Sequence, residues 1–195
     1  LIGVDGNHPD LLVKAQEVSC TNINFGAIKL LTALPIKSPY HVKIKPILSE
    51  EEYNHFAMKE LYKYVDTTHL LIIQHDGYVL DASKWEPEFL QYDYIGAPWE
   101  WHGQLKIGNG GFSIRSRRLM EFVANDPTIT DFHPEDDKIC RKYGDYLQSK
   151  GFTFAPIELA RRFSIEGYKA DRTYRGQFGF HGLHIKFNEK AKKML

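Results

Sequence analysis

The spacing of apolar and polar residues along the chain predicts strands and helices in alternation. Short runs with the length of buried strands lie at residues 1–4, 27–31, 41–44 and 70–74. Apolar residues recur at helical spacing after Pro9 and again after Ser49, where Glu52 stands three residues beyond Ser49 as in a capping box. Because strands separated by helices usually form a parallel sheet with right-handed crossovers, we expect an α/β fold.

Strand and helix signals continue less regularly in the second half of the chain. Residues 112–115 resemble a strand that leads into a helix, and a further helix is predicted from residues 131–134 to a C-cap at Gly151. Residues 152–156 are predicted as a last short strand, residues 167–182 as a loop, and the lysine-rich tail from Ile185 as a surface helix. In between, aromatic residues crowd among glycines and prolines, which predicts exposed aromatic side chains on loops. These residues are Trp85, Phe89, Tyr92, Tyr94, Trp99 and Trp101.

Length, charge and cysteine content limit the possible classes. The 195 residues suit one domain. Lys plus Arg and Asp plus Glu both total 25, so the chain lacks the basic character of a nucleic-acid binder. Cys20 and Cys140 form no CxxC motif, which argues against a disulfide framework or a zinc cluster. We therefore expect a cytoplasmic protein, which could also bind peripherally to a membrane. No apolar run approaches the roughly 20 residues of a transmembrane segment.

The strand at residues 70–74 runs directly into His75 and Asp76. Asp76 is expected at the carboxyl end of a central strand, the edge where ligands gather in open α/β sheets. Alternatively, Asp76 only hydrogen-bonds the backbone of its own turn. As a ligand of Mg²⁺ or Mn²⁺ it needs partners, and His75, His181 and His184 are candidates. Alternation along the strand directs His75 to the face opposite Asp76, which makes His75 the weaker candidate.

Three acids, Glu135, Asp136 and Asp137, open a predicted helix. Acids in a first helical turn complement the helix dipole and need no further role. Three adjacent acids nevertheless exceed what capping requires, and one of them could act as general base toward a hydroxyl group. Proximity to Asp76 would discriminate between these two interpretations.

Glycines at 108, 110 and 111 surround Asn109 just before the strand at residues 112–115. This segment lacks the features of a Walker loop or a dinucleotide fingerprint. It is either a plain turn or a place where backbone approaches a ligand closely. The nearby Trp99 and Trp101 could form stacking walls for sugar rings, with core packing as the alternative for at least one of them.

Through the order of five motifs, the chain resembles a bacterial family of largely uncharacterised glycosyltransferase-like domains. The motifs are Gln-His-Asp-Gly, Tyr-Asp-Tyr-Ile-Gly-Ala-Pro-Trp, Gly-Asn-Gly-Gly-Phe-Ser-Ile-Arg-Ser, Pro-Glu-Asp-Asp and Phe-Gly-Phe-His-Gly, within residues 5–182. The chain is also similar, more distantly, to GT-A nucleotide-sugar glycosyltransferases. This resemblance implies a GT-A-like, Rossmann-like mixed and mainly parallel sheet flanked by helices, a nucleotide-sugar donor with UDP-sugar foremost, and Mn²⁺ or Mg²⁺.

The resemblance also implies roles by position. Asp76 stands for the last acid of an Asp-X-Asp metal motif and His181 for a further metal ligand, whereas Gln74 replaces the first acid and should bind a hard cation more weakly. Asp5 would lie near the nucleotide base or ribose. Asn109, Gly110 and Gly111 would line the sugar pocket, and Glu135, Asp136 and Asp137 would face the acceptor, with Asp136 or Asp137 as the base.

The function predicted on these grounds is transfer of a hexose-like sugar from a nucleotide-diphosphate sugar to a hydroxyl group of a glycan or similar acceptor. We expect the reaction to be metal-assisted and inverting, with retention left open. One alternative is a metal-dependent phosphoesterase that uses the same acids to activate water, although the sequence shows no second His/Asp cluster typical of a two-metal centre. Another is a non-catalytic carbohydrate-binding module built on the Trp99 and Trp101 region.

Overall fold

A computed structural model of the protein describes residues 1–101, 103–166 and 172–192. The strands are β1 (Ile2–Val4), β2 (Lys29–Thr32), β3 (His41–Lys43), β4 (His69–Ile73), β5 (Gly77–Val79), β6 (Tyr94–Gly96), β7 (Pro98–Trp101), β8 (Gln104–Ile107), β9 (Ser113–Ser116), β10 (Ser164–Glu166) and β11 (Gly179–His181). The α-helices are α1 (Pro9–Ser19), α2 (Glu50–Lys59), α3 (Arg117–Asn125), α4 (Glu135–Asp137), α5 (Gly144–Ser149), α6 (Ile157–Phe163) and α7 (Glu189–Lys192).

The central sheet has six strands in the order β3-β2-β1-β4-β9-β6. The first four are parallel to one another, whereas β9 is antiparallel to both of its neighbours. Among the described residues, β10-β11-β5 and β7-β8 form two further small sheets. The predicted α/β fold with a mixed, mainly parallel sheet is therefore confirmed, while its closer assignment to the GT-A architecture stays a prediction.

Strand β4 lies in the middle of this sheet and is covered on both faces. Leu71 and Ile73 pack in the cluster that contains the apolar residues of α1, α5 and α6. Leu70 and Ile72 pack in a second cluster with residues of β1, β2 and α2. The uninterrupted aliphatic run is thus explained by burial of alternate side chains on opposite faces. The carboxyl end of β4 is therefore held in place by packing on both faces of the sheet.

The first two helices begin where the sequence predicts. Pro9 opens α1, and the Ser49 side chain accepts a hydrogen bond of 3.1 Å from the Glu52 amide at the start of α2. The Glu52 carboxylate in turn accepts from the Leu48 amide at 2.7 Å, one residue before the position expected for a capping box. None of the helices in the described ranges has the length and apolar character that crossing a membrane requires.

The second half of the chain departs from the prediction in three places. The helix expected from residues 131–134 begins at Glu135 and is interrupted by a π-helical turn, Lys138–Lys142, before α5 ends ahead of Gly151. The predicted strand at 152–156 is reduced to one bridge between Phe154 and Tyr94. The predicted loop contains β11, since its last residues pair with β5 and β10; residues 167–171 lie outside the described residues.

The prediction of exposed aromatic side chains on loops is wrong for Phe89 and Tyr94, which are both fully buried. A 3₁₀ turn, Pro87–Gln91, and strand β6 direct these rings inward. Phe89 packs edge-on against Phe163 with ring centroids 5.1 Å apart. Trp85 remains partly exposed. Aromatic residues among glycines and prolines therefore form core here, because short irregular elements bury them as well as regular ones do.

Candidate functional site

The turn that follows β4 carries two candidate residues. Gln74 and Gly77 exchange backbone hydrogen bonds of 2.8 and 3.2 Å, which makes His75 and Asp76 the two residues of the turn. The Gly182 amide donates to the Asp76 carbonyl at 2.8 Å and ties this turn to the end of β11. Asp76 therefore lies at the carboxyl end of a central strand, as predicted.

The side chain of His181 comes from β11 to meet Asp76. His181 Nε2 lies 3.7 Å from Asp76 Oδ1 and 3.2 Å from Gln74 Oε1. Its other ring nitrogen, Nδ1, lies 3.1 Å from Glu166 Oε2 on β10. Burial by itself lowers the pKa of His181, but the hydrogen bond and charge of Glu166, with the charges of Asp76 and Asp136, outweigh it and raise that pKa above the usual value.

These three side chains offer a donor set that fits a divalent cation. Asp76 offers a carboxylate oxygen and Gln74 an amide oxygen, and both oxygens lie within 3.7 Å of the His181 Nε2 nitrogen. Imidazole suits Mn²⁺ better than Mg²⁺. Histidines that bind metals usually give their second nitrogen to a carboxylate, which is the position that Glu166 occupies. The other predicted candidate, His184, is exposed.

Asn109 connects this group to the acidic run. Its backbone is in the left-handed region with φ of 71°, where asparagine is one of the favoured residues. Its amide donates to Asp136 Oδ2 at 2.8 Å, and its side-chain Nδ2 donates to Glu166 Oε2. Its side-chain oxygen accepts from the amides of Gly111 at 2.9 Å and Phe112 at 3.1 Å. One residue thus fixes the glycine-rich turn, Asp136 and Glu166 together.

Gly110 and Gly111 leave room for neighbouring side chains. A Cβ atom on Gly110 would lie 2.0 Å from Glu135 Oε1, and one on Gly111 would lie 2.2 Å from His181 Nε2 and 2.5 Å from Gln74 Oε1. The glycines therefore allow close approach of backbone to side chains of the site. Their predicted contact with a sugar stays a prediction.

The three acids of the run at residues 135–137 lie in three different environments. Glu135 is buried and accepts a hydrogen bond of 2.6 Å from Arg115 Nη2, whose side chain is completely buried. Asp137 lies 3.8 Å from Lys138 Nζ and 3.9 Å from Arg141 Nε. Glu135 and Asp137 are thus engaged with basic groups, which favours the interpretation that both stabilise the local structure.

Asp136 lies between them and faces the rest of the site. Its Oδ1 accepts from the Asp137 amide and its Oδ2 from the Asn109 amide, both at 2.8 Å. Burial, followed by the negative charge of Glu135, raises the pKa of Asp136 to about 6. A carboxylate that titrates near neutral pH is suited to act as general base. Of the two acids predicted for this role, Asp136 has the matching environment.

Asp5 extends the polar network on the other side of Asp76. Its Oδ1 accepts from the amides of Asn7 and His8, both at 2.7 Å, and its Oδ2 lies 2.7 Å from His75 Nδ1. The same His75 nitrogen lies 4.0 Å from Asp76 Oδ1. The prediction that His75 faces away from Asp76 is wrong, because both residues belong to the turn, where strand alternation does not apply.

The structure therefore joins residues that are distant in sequence into one continuous polar network. Its members, in order of contact, are Asp5, His75, Asp76, His181, Glu166, Asn109 and Asp136. Glu166 is not evident from the sequence, because its strand has only three residues and no periodicity to mark it. The spacing of residues likewise gave no signal for the place of His8 beside Asp5.

The predicted aromatic walls are only partly described. The Arg141 guanidinium lies 4.4 Å from the centroid of the Trp99 ring, and Arg141 Nη2 donates to the Trp99 carbonyl at 2.9 Å. One face of this ring is therefore covered by a protein side chain. The Trp101 side chain lies outside the described part of the structure. Stacking of Trp99 or Trp101 on a sugar stays a prediction.

Comparison with known proteins identifies a family and distant structural similarity. Residues 40–181 match the family described as "Protein of unknown function (DUF5672)". No curated protein matches the chain. Among solved structures, the chain is similar to the apo-form glycosyltransferase GlyE of Streptococcus pneumoniae TIGR4, with 11% identity and a TM-score of 0.44 over 81% of this chain and 45% of that chain. It is also similar to A197 from STIV, with 16% identity and a TM-score of 0.33 over 62% of this chain and 65% of that chain. The chain thus spans less than two thirds of the length of either protein.

Proposed function

This chain belongs to the DUF5672 family, and we propose that it is a glycosyltransferase that uses a nucleotide-diphosphate sugar. The donor is foremost a UDP-sugar, and the acceptor is a hydroxyl group of a glycan or similar molecule. One observation carries the proposal: Asp76 Oδ1 and His181 Nε2, atoms of the types that bind divalent cations, lie in the same polar network as Asp136, whose raised pKa suits a base. The motif order described above supports the same class.

The donor diphosphate would bind beside Asp76, Gln74 and His181. These residues fit Mn²⁺, or Mg²⁺ as the second choice, and such a cation neutralises the negative charge that develops on a departing diphosphate. Glu166 would hold the His181 ring in the orientation that presents Nε2. Because the Asp76 and His181 side chains are 17% and 23% exposed, a ligand can reach both.

Asp136 would act as the general base toward the acceptor. Its carboxylate takes the proton from the acceptor hydroxyl while that oxygen forms a bond to the anomeric carbon and the bond to the diphosphate breaks. The Asn109 and Asp137 amides hold the carboxylate in place during this step. A single displacement of this kind inverts the anomeric configuration, and a retaining route remains the alternative.

A second candidate function is supported by one observation. Asp5, His8 and His75 form a His/Asp cluster beside Asp76, whereas no such second cluster is evident from the sequence. Two neighbouring cation sites are typical of enzymes that activate water for hydrolysis of phosphate esters. A metal-dependent phosphoesterase is therefore the main rival.

The test is incubation of the protein and Mn²⁺ with UDP-, GDP- and dTDP-sugars, with and without a mixture of glycan acceptors. We expect acceptor-dependent release of a nucleoside diphosphate, which Asp136→Asn removes. Release of phosphate from a generic ester without acceptor would support the phosphoesterase instead. Sugar binding that is unchanged by Asp136→Asn and Asp137→Asn, without turnover, would support a carbohydrate-binding module.

A further inference from the structure

A second group of ligand atoms lies next to the proposed diphosphate site. Asp5, His8 and His75 each offer one such atom, and these atoms all lie within 4.8 Å of one another. We propose that these three residues form a separate site for a transition-metal ion of the zinc class. This site shares no residue with the Asp76 and His181 pair, and the zinc proposal does not depend on the proposed sugar transfer.

The distances are compatible with a common metal centre. Ligand atoms of a tetrahedral zinc ion lie about 2.0–2.1 Å from the metal and so roughly 3.4 Å from one another. His75 Nδ1 is 2.7 Å from Asp5 Oδ2, and His8 Nδ1 is 4.0 Å from Asp5 Oδ1. The His8 side chain is 51% exposed, so its ring can move toward the other two without disturbing the core. Both distances therefore differ from that spacing by less than about 1 Å.

Asp5 is prepared for such a role by its surroundings. Its side chain is only 6% exposed, and two backbone amides bind one of its oxygens and fix the orientation of the carboxylate. The other oxygen is directed at His75. A buried carboxylate is costly unless its charge is compensated, and a cation at this point provides that compensation. Backbone support of a ligating carboxylate is a common feature of metal sites.

The ligand types determine which cation is preferred. Two imidazoles and one carboxylate form the set that holds zinc in several hydrolytic sites while leaving a fourth position open. Mg²⁺ prefers oxygen ligands and would bind poorly here. His8 and His75 are both partly exposed, which leaves the fourth position open to water. We therefore expect Zn²⁺ at this site and Mn²⁺ at Asp76 and His181.

A matched histidine on the surface provides the control. His55 on α2 has a side chain 53% exposed, nearly the same as His8, and lies outside the cluster. Zn²⁺ affinity is measured on the full metal-free chain by competition with a chromophoric chelator, for wild type, His8→Ala, His75→Ala and His55→Ala. Circular dichroism of each variant shows whether its fold is retained.

We expect wild type and His55→Ala to bind Zn²⁺ with equal affinity at their tightest site, and His8→Ala and His75→Ala to bind their tightest Zn²⁺ at least about tenfold more weakly. Excess Mg²⁺ should not compete. Equal affinity of folded His8→Ala and His55→Ala, or no Zn²⁺ binding by wild type, would overturn the proposal. His181→Ala separates the zinc proposal from the proposed function, because this variant should retain Zn²⁺ binding. If His181→Ala loses Zn²⁺ binding and His8→Ala keeps it, the ion binds at the Asp76 and His181 site and the zinc proposal is wrong.

Discussion

Glu166 and His181 stand opposite each other on the paired strands β10 and β11, and Glu166 Oε2 lies 3.1 Å from His181 Nδ1. The same oxygen accepts a hydrogen bond from Asn109 Nδ2. Asn109 in turn holds Asp136 through its amide. One carboxylate therefore connects the proposed cation ligand with the proposed base, although neither Glu166 nor its strand is evident from the sequence.

Glu166→Gln should weaken Mn²⁺ binding by about 10- to 100-fold, because the uncharged amide no longer orients and polarises the His181 ring. Calorimetric titration with Mn²⁺ measures this change. Glu158→Gln is the control, since Glu158 is 83% exposed on α6 and its only described ion pair is with Arg161. Equal Mn²⁺ affinity of the two variants would contradict the assigned role of Glu166.

Sugar transfer should depend on pH through Asp136. Because its pKa is raised to about 6, the carboxyl is protonated and inactive below that pH and becomes a base above it. We expect kcat/KM for transfer to rise as pH increases through about 6 and then to level off. Asp136→Asn should lower kcat by at least about 100-fold.

Asp137→Asn is the matched control for this prediction, because Asp137 faces Lys138 and Arg141. That variant should keep both the pH profile and most of the rate. A profile of the wild type that is flat between pH 5 and 7, roughly one unit either side of the expected pKa, would show that Asp136 is not the base.

Gly111→Ala should disturb the cation site while leaving the fold intact. The new Cβ atom would lie 2.2 Å from His181 Nε2, so the ring must move away from Asp76 and Gln74. We expect weaker Mn²⁺ binding and slower transfer. Gly26→Ala, where nothing lies within 4 Å of the added atom, should bind Mn²⁺ as wild type does. Unchanged Mn²⁺ affinity in folded Gly111→Ala would argue against His181 as a ligand.

The part of this site that the sequence predicts is the part encoded locally. An aliphatic run at residues 70–73 identifies a strand buried on both faces, and the polar residues after it place Asp76 at the strand's end. The acidic run is likewise evident from the sequence, because three adjacent acids can be recognised without knowledge of the fold. Local signals thus located Asp76 and Asp136 as separate features.

The part that the sequence could not predict depends on pairing between distant segments. Gln74 and His181 are 107 residues apart, and they meet because β11 pairs antiparallel with β5, placing His181 opposite Gly77. Strands of three residues carry too little periodicity to be recognised, so the sequence predicts a loop there. The place of His75 was missed for a related reason, since turn residues do not follow strand alternation.

Glu135→Ala should destabilise the fold. The change would leave the Arg115 guanidinium without its carboxylate in a completely buried position, where it still lies 5.0 Å from the centroid of the Tyr94 ring. Breaking a buried ion pair by removing one partner costs about 3–5 kcal/mol of the free energy of unfolding. Urea denaturation followed by circular dichroism measures the loss.

An exposed ion pair gives the comparison. Arg162 and Glu86 are 51% and 34% exposed, and their closest atoms are 2.8 Å apart. Glu86→Ala should change the unfolding midpoint only slightly, since water solvates both groups. A midpoint for Glu135→Ala close to that of Glu86→Ala would mean that the Arg115 and Glu135 pair contributes little to stability.

The most direct measurement is a crystal structure of the protein grown with UDP and Mn²⁺. We predict one Mn²⁺ coordinated by Asp76 and His181, with the diphosphate bound to that ion and the position beyond it facing Asp136. A diphosphate bound away from these residues, or Mn²⁺ that contacts neither Asp76 nor His181, would contradict the proposed site and with it the proposed function.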